Sequence, residues 1–365
     1  MLPTTMRRAR VATMIVLAAA ACGKDGSGGG ARSPTPGADT GAAPFTLDAA
    51  PPAPDAAPGP TMTTTTFHAT SAADLQLPLA QALASAEAAG AAELRVTLAA
   101  GRYDGLTLRP GNADGSIGFV VEPDGSGAVV FTGAVAIEGK SVALRGVTLD
   151  GARAPGTAMR LRGYQRVELA QVAVIGVAAG DPRGREGDPL IELGARAKGA
   201  TAAVRDLWVV DATVSGALLK VPVNGPGRFA QVGFDNVVFA GNRAARGLDL
   251  AGADAVTVTG ALVIEPRLTG PWLMVRTYGA ITLTDALVAV RTQLVDYAIS
   301  DDDALTDYPR LVVERAELRG PTAKEHLAAT ATTFAPAPPA SLDTAAIIAA
   351  ARAGGAPDRA ALTPR

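Results

Sequence analysis

VELAQVAVIG, beginning at Val167, is the stretch on which the reading of this chain turns. Val167 and Leu169 alternate with Glu168 and Ala170, and after Ala170-Gln171 the alternation resumes as Val172-Ala-Val174. Alternation with a period of two marks a β-strand with one face buried, and a break in phase swings the chain onto a second face. The same pattern recurs as VALRGVTLDG from Val142, AAVRDLWVVD from Ala202, VGFDNVVFAG from Val232, VTVTGALVIE from Val256, ITLTDALVAV from Ile281 and LVVERAELRG from Leu311. Successive copies start 25, 35, 30, 24, 25 and 30 residues apart, with a two-residue corner inside each. A third short segment precedes most copies: Met159-Arg-Leu161, Ile191-Glu-Leu193, Leu219-Lys-Val221, Leu248-Asp-Leu250 and Leu273-Met-Val275. Three short strands per unit of about 25 residues predict an all-β, three-sided solenoid over residues 67–320.

Outward from the repeat, Pro78 to Ala89 reads as a helix, with Pro in its first turn and Gly90 as its stop. Leu75, Leu79, Leu83 and Ala86 give it one apolar face, suited to covering the open end of the first coil. Strands are expected straight after it, at 95–98, 105–108 and 119–121. Beyond Gly320 the repeat stops. Residues 321–365 form an Ala/Pro-rich tail with a short helix candidate at 344–352.

The N-terminus reads as an address. Arg7, Arg8 and Arg10 precede an apolar run from Val11 to Ala21, shorter than the roughly 20 residues a membrane-spanning helix needs. That is the layout of a signal peptide over residues 1–21. Ala19-Ala20-Ala21-Cys22-Gly23 resembles the lipobox of bacterial lipoproteins, with Ala19 where that family usually has Leu. The resemblance implies that Cys22, the single cysteine, is acylated and tethers the chain to a membrane. Gly23 stands where enteric-type sorting places Asp for inner-membrane retention, so the resemblance implies an outer-membrane lipoprotein. Residues 22–66 are Gly, Ser, Pro, Ala and Thr with few large apolar side chains, a composition that reads as a flexible spacer.

With the helix, the motif Leu98-Ala-Ala-Gly101-Arg-Tyr103-Asp-Gly105 and the coils, the body resembles the pectate-lyase-like superfamily of right-handed parallel β-helices. It looks most like the chondroitinase B and alginate lyase branch. That branch carries a catalytic Lys just after an apolar-x-apolar strand and an Arg at the matching place one coil on. Here those places hold Pro222 and Ala251, so neither role carries over. The polygalacturonase pattern of Asn-x-Asp with Gly-His-Gly is also missing from the sequence.

The chemistry open to the chain is narrow. Lys and Arg number 33 against 35 Asp and Glu, so there is no basic excess for nucleic acid. The two histidines, His68 at the border of the spacer and His326 in the tail, lie outside the repeat copies, which leaves these without a histidine-based nucleophile or metal cluster. Arg160, Glu192, Lys220 and Asp249 hold the same place in successive coils and are expected to stack as a ladder of alternating charge. Asp301, Asp302, Asp303 and Asp307 could supply paired carboxylates or calcium ligands, but they follow a strand and precede Pro309, which favours a solvated loop. Arg243, Arg246, Trp272, Arg276 and Tyr278 fall near the end of one strand column, where flat aromatics beside guanidinium groups would suit carboxylated sugars. No catalytic residue is assigned. A non-catalytic glycan-binding or structural surface protein is the leading expectation, with a lyase or hydrolase of acidic polysaccharide as the alternative.

Overall fold

The computed structural model describes residues 63–111, 116–180, 187–223, 227–264, 267–275, 281–297, 311–319, 327–330 and 332–335. They form a parallel β-solenoid of about eight turns. The repeat copies fall into one column. Val142, Val167, Ala202, Val232, Val256, Ile281 and Leu311 are successive backbone partners on the first face. The third segments form another, with Met159, Ile191, Leu219, Leu248 and Leu273 in register. The second halves of the repeats make the remaining face, where Val174, Val209, Phe239, Val263, Val288 and Leu318 stack. A single strand, Met159–Ile175, contributes to all three faces.

Period-two alternation fills the lumen. Leu144, Leu169, Val204, Phe234, Val258, Leu283 and Val313 stack inward from the first face, and all are buried. The corner after this face is set by one residue. Gly146, Gln171, Asp206, Asn236, Gly260, Asp285 and Arg315, at the same place in each copy, all have φ between 47° and 67°. The two-residue corner read from sequence thus turns on its second member alone. A left-handed backbone costs an ordinary L-residue about 1–2 kcal/mol, so Gly, Asn and Asp are favoured there. The polar members repay part of the strain: Asn236 Nδ2 donates to Asp206 Oδ1 at 2.7 Å, and Arg315 donates to Asp285 at 2.9 and 3.0 Å.

The next corner holds a buried polar anchor. Ala152, Val177, Ala212 and Asn242 occupy equivalent inward places, and all are buried. Asn242 is the polar exception, and both ends of its amide are bonded. Its Oδ1 accepts from the Ala212 N–H and its Nδ2 donates to the Val209 carbonyl, both at 2.9 Å.

The helix expected at 78–89 is found at Leu77–Ala88, with Pro78 in its first turn. Leu79 and Ala86 are buried in the core, and Leu75 and Leu83 pack against it. The strands expected nearby are Glu93–Leu98, Leu106–Leu108 and Gly118–Pro123. One reading is corrected. The strand Thr64–Ala69 pairs along its length with Glu93–Leu98, so the first rung begins within the residues assigned to the spacer. His68 belongs to that rung, where its Nδ1 lies 3.1 Å from Thr97 Oγ1. Such an edge rung has no corner and no second half, which is why the repeat pattern passed over it.

Outside the first face runs a network of opposite charges. Arg145 bonds Glu122 at 3.4 Å and Glu168 at 3.0 Å, Arg95 bonds Glu122 at 2.8 Å, and Arg166 bonds Glu168 at 2.8 Å. Burial pushes the Glu168 carboxyl up, but the Arg145 hydrogen bond and the charges of Arg145, Arg166 and Arg205 outweigh it and hold it below the usual range. A depressed folded-state pKa means the stabilisation is present above the unfolded-state value of about 4.3 and is lost as pH falls through the folded one.

Two stability measurements follow from this packing. Asn242→Ala strips partners from a buried N–H and a buried carbonyl, and is expected to cost about 2–3 kcal/mol in urea unfolding. Glu168→Gln is expected to cost about 1–2 kcal/mol at pH 7, with the gap to the parent protein closing below roughly pH 4.

Candidate functional site

The ladder expected on the third face is present in register, with Arg160, Glu192, Lys220 and Asp249 as successive partners. It is less exposed than an outward row would suggest, because Glu192 and Asp249 are buried. Glu192 accepts from Arg160 at 3.3 Å and from Arg162 at 2.8 and 2.6 Å. Asp249 Oδ2 takes a 3.5 Å contact from Arg246, while its buried Oδ1 has no partner among the described residues. Lys220 forms no ion pair with a described residue. The column therefore aligns its charges but closes only its upper half.

The aromatic and arginine group separates. Trp272 is 4% exposed and packs edge-on against Phe239, with ring centroids 5.0 Å apart at 69°. Its indole lies over Gly247, where any Cβ would collide with the ring, so a glycine on the preceding coil admits it to the core. A ring so placed offers no stacking surface to a sugar, and the expectation that Trp272 forms part of a binding platform is corrected. Arg246 turns toward Asp249. Arg276 and Tyr278 lie outside the described residues, as do Asp301, Asp302, Asp303, Asp307 and Cys22. Among the described residues no group of three or more His, Cys, Asp or Glu is placed to hold a metal ion.

Arg243 alone of that group is exposed and without an ion pair among the described residues, and it leads to a feature the sequence reading missed. Between the second and third faces runs a second parallel sheet of two-residue strands: Arg153–Ala154, Ala178–Ala179, Thr213–Val214, Arg243–Ala244 and Arg267–Leu268. The second residue of each pair is buried and the first is exposed. The exposed column is therefore Arg153, Ala178, Thr213, Arg243 and Arg267. At about 4.8 Å per rung, Arg153 and Arg243 stand roughly 14 Å apart, with Arg267 one rung further. None of the three pairs with a carboxylate of the described residues.

Small side chains on the middle coils open a cleft along this column. It measures about 550 Å³, with Arg153 and Pro155 at one end, Ala178, Ala179 and Gly180 along its floor, and Thr213 and Ser215 at the other. Ser215 Oγ is buried without a hydrogen-bond partner among the described residues. The arrangement offers guanidinium groups in a line, the Thr213 hydroxyl and an apolar floor, which together can hold an extended anion. The signal was legible: each strand begins eleven residues after the start of its repeat copy, and three of the five copies place Arg there. Two-residue strands are too short for period-two alternation to reveal them.

Comparison of the chain with family models, with curated proteins and with solved structures gives no match.

Proposed function

We propose that this chain is an exported, lipid-anchored β-solenoid that binds acidic polysaccharide along the arginine column of its corner sheet. The observation that carries the reading is the direct stacking of Arg243 on Arg267. Like charges opposite one another on adjacent strands destabilise a sheet; elsewhere on this surface arginines meet carboxylates, and in the other stacked cation pair, Lys198 on Arg228, Asp254 meets Arg228. A pair of guanidinium groups with no carboxylate partner among the described residues, beside a cleft, suits a ligand that supplies negative charge. Carboxylates repeated along a sugar chain fit better than one small anion, because the cations are spread over several coils. The chain's net charge of −2 makes the attraction local to this column, which disfavours nonspecific binding to any polyanion. Arginine also suits the carboxylate geometry, since its planar fork binds both oxygens at once.

The address at the N-terminus supports the location. Cys22, the lipobox-like residues before it and the spacer after it together describe a domain held away from a membrane surface. The three-faced coil and its helix cap accord with the pectate-lyase-like resemblance. A fold does not fix an activity, and the reading here requires binding only.

The test is titration of the full chain with polygalacturonate, alginate and a neutral glucan as control. Arg153→Ala, Arg243→Ala and Arg267→Ala combined are expected to weaken binding of the acidic polymers at least tenfold, about 1.4 kcal/mol. Raising salt is expected to weaken the parent protein's binding in the same direction. Equal affinity for the neutral polymer, or no change in the triple variant, would overturn the reading. Release of unsaturated uronate, seen as ultraviolet absorbance, would replace binding with lysis. For the anchor, Cys22→Ser is expected to move the expressed protein from the membrane fraction to the soluble exported fraction, and retention in the membrane would remove that part.

A further inference from the structure

The arginine column is interrupted. Arg153 is followed along the corner sheet by Ala178 and Thr213 before Arg243 and Arg267 take up the charge again. The cleft lies at those two uncharged rungs, so the gap between cations and the hollow in the surface coincide. Backbone hydrogen bonds hold the hollow open. The Gly180 N–H donates to the Ala154 and Gly156 carbonyls at 3.2 and 3.0 Å, and the Gly216 N–H donates to the Asp188 carbonyl at 3.1 Å, which ties three coils together along the rim. Glycine is required at Gly180, where φ is 91° and a Cβ would collide with Ser215. The exposed wall comes mainly from Pro155 and Ala178, backed by the buried Ala154, Ala179 and Val214, and Thr213 supplies the exposed hydroxyl. The Asp188 carboxylate stands beside Gly156, the residue after Pro155, with Oδ2 3.6 Å from where a Cβ on that glycine would be. A carboxylate set into the cleft would therefore lose water to an apolar floor with a like charge nearby.

We propose that the cleft receives short neutral acyl esters carried by the acidic polysaccharide, so that the protein distinguishes an O-acylated polymer from a bare one. The inference rests on the reading of the arginine column as a polyanion site, and it adds what the ligand carries between its charges. Arg153 and Arg243 are three rungs apart, roughly 14 Å, so a polymer that bridges them lays the substituents of its middle sugars over Ala178 and Thr213. Bare hydroxyls laid there would give up hydrogen bonds to water against a floor with little to replace them, and each unreplaced bond costs free energy. An acyl methyl on the same floor is released from water instead, and the Thr213 hydroxyl can donate to the ester carbonyl. An ester also brings no N–H in need of an acceptor, as an acylated amine would. The cleft's volume of about 550 Å³ falls within the roughly 300–1,000 Å³ of sites that enclose a small organic group. Charge selection by the arginines and acyl selection by the cleft thus fall on different rungs of one column.

The test titrates the full chain with O-acetylated alginate and with the same sample after mild alkaline removal of its acetyl groups, which leaves the carboxylates in place. The parent protein is expected to bind the acetylated polymer about fourfold more tightly or better, the worth of one methyl-sized group removed from water. Ala178→Leu fills the cleft from an exposed position and removes no charge. It is expected to abolish the difference between the two polymers while binding the deacetylated one as the parent does, which also shows that the variant is folded. Thr213→Val is expected to reduce the preference without removing it. Equal affinity of the parent for both polymers would overturn the acyl inference and leave the polyanion reading standing, whereas binding of neither would overturn both. A preference that survives Ala178→Leu would put acyl recognition outside the cleft and sink the assignment. Should Ala178→Leu lose both ligands, Thr213→Val decides, and an undiminished preference in that variant counts against the cleft.

Discussion

Each rung of this protein has its backbone groups satisfied by the coil before it and the coil after it, and that obligation puts equivalent residues of the repeat into columns. A parallel strand left unpaired exposes a row of donors and acceptors, so the coils must stack in one register or forfeit those bonds. A slip by one residue would also turn Val167, Leu169 and their equivalents out of the lumen. Hydrogen bonding and apolar burial therefore select the same register. The corners inherit it: because Gly146, Gln171, Asp206 and Asn236 are stacked, the left-handed turn recurs at each level and Asn236 can reach Asp206 on the preceding coil.

Columns also decide which charges can live together. On the first face Arg145 sits between Glu122 and Glu168, and on the third Glu192 gathers Arg160 and Arg162. These contacts are partly solvated, and each is modest in energy. Their value is in the pattern, since a cation stacked on a cation would work against the register that everything else favours. Lys198 stacked on Arg228 departs from that pattern with Asp254 beside Arg228, and the corner sheet departs from it at Arg243 and Arg267, where small residues on neighbouring coils open a cleft. A two-residue strand contributes little to the stacking of its coil, so repulsion is tolerated there more cheaply than on a long strand.

The main architecture was legible because period two survives in the sequence wherever one side of a strand meets water. Val142 and its six equivalents, and Met159 and its four, could be placed from alternation alone. The second face was harder. Trp208-Val209-Val210 and Leu262-Val263-Ile264 are apolar without interruption, the mark of a strand buried on both sides. Alternation could locate these strands but could not show that their outer side was covered. Trp272 was misplaced for a related reason. It stands just before the short strand Leu273–Val275, where no partner of alternating phase fixes its direction, and its entry to the core depends on Gly247 one coil away. Arg153 and Arg267 escaped because the strands that align them are two residues long. What sequence conveyed well was repetition, and what it conveyed poorly was the contact between a residue and the coil beside it.

A solenoid whose coils touch only their neighbours gains its stability approximately as a sum of coils and the interfaces between them. Such a body is weakest where one interface is poor, and a ligand that touches a single coil does nothing for the next. The arginine column is different in kind, because Arg153, Arg243 and Arg267 belong to separate coils. A polymer that engages all three spans the interfaces between them, and it binds only when those interfaces are formed. Its binding free energy is then added to coil stacking, by the same linkage that makes any ligand of the native state stabilising. The geometry that sets these arginines in a line is thus also the geometry through which a long anion bound along it would hold the middle of the solenoid together.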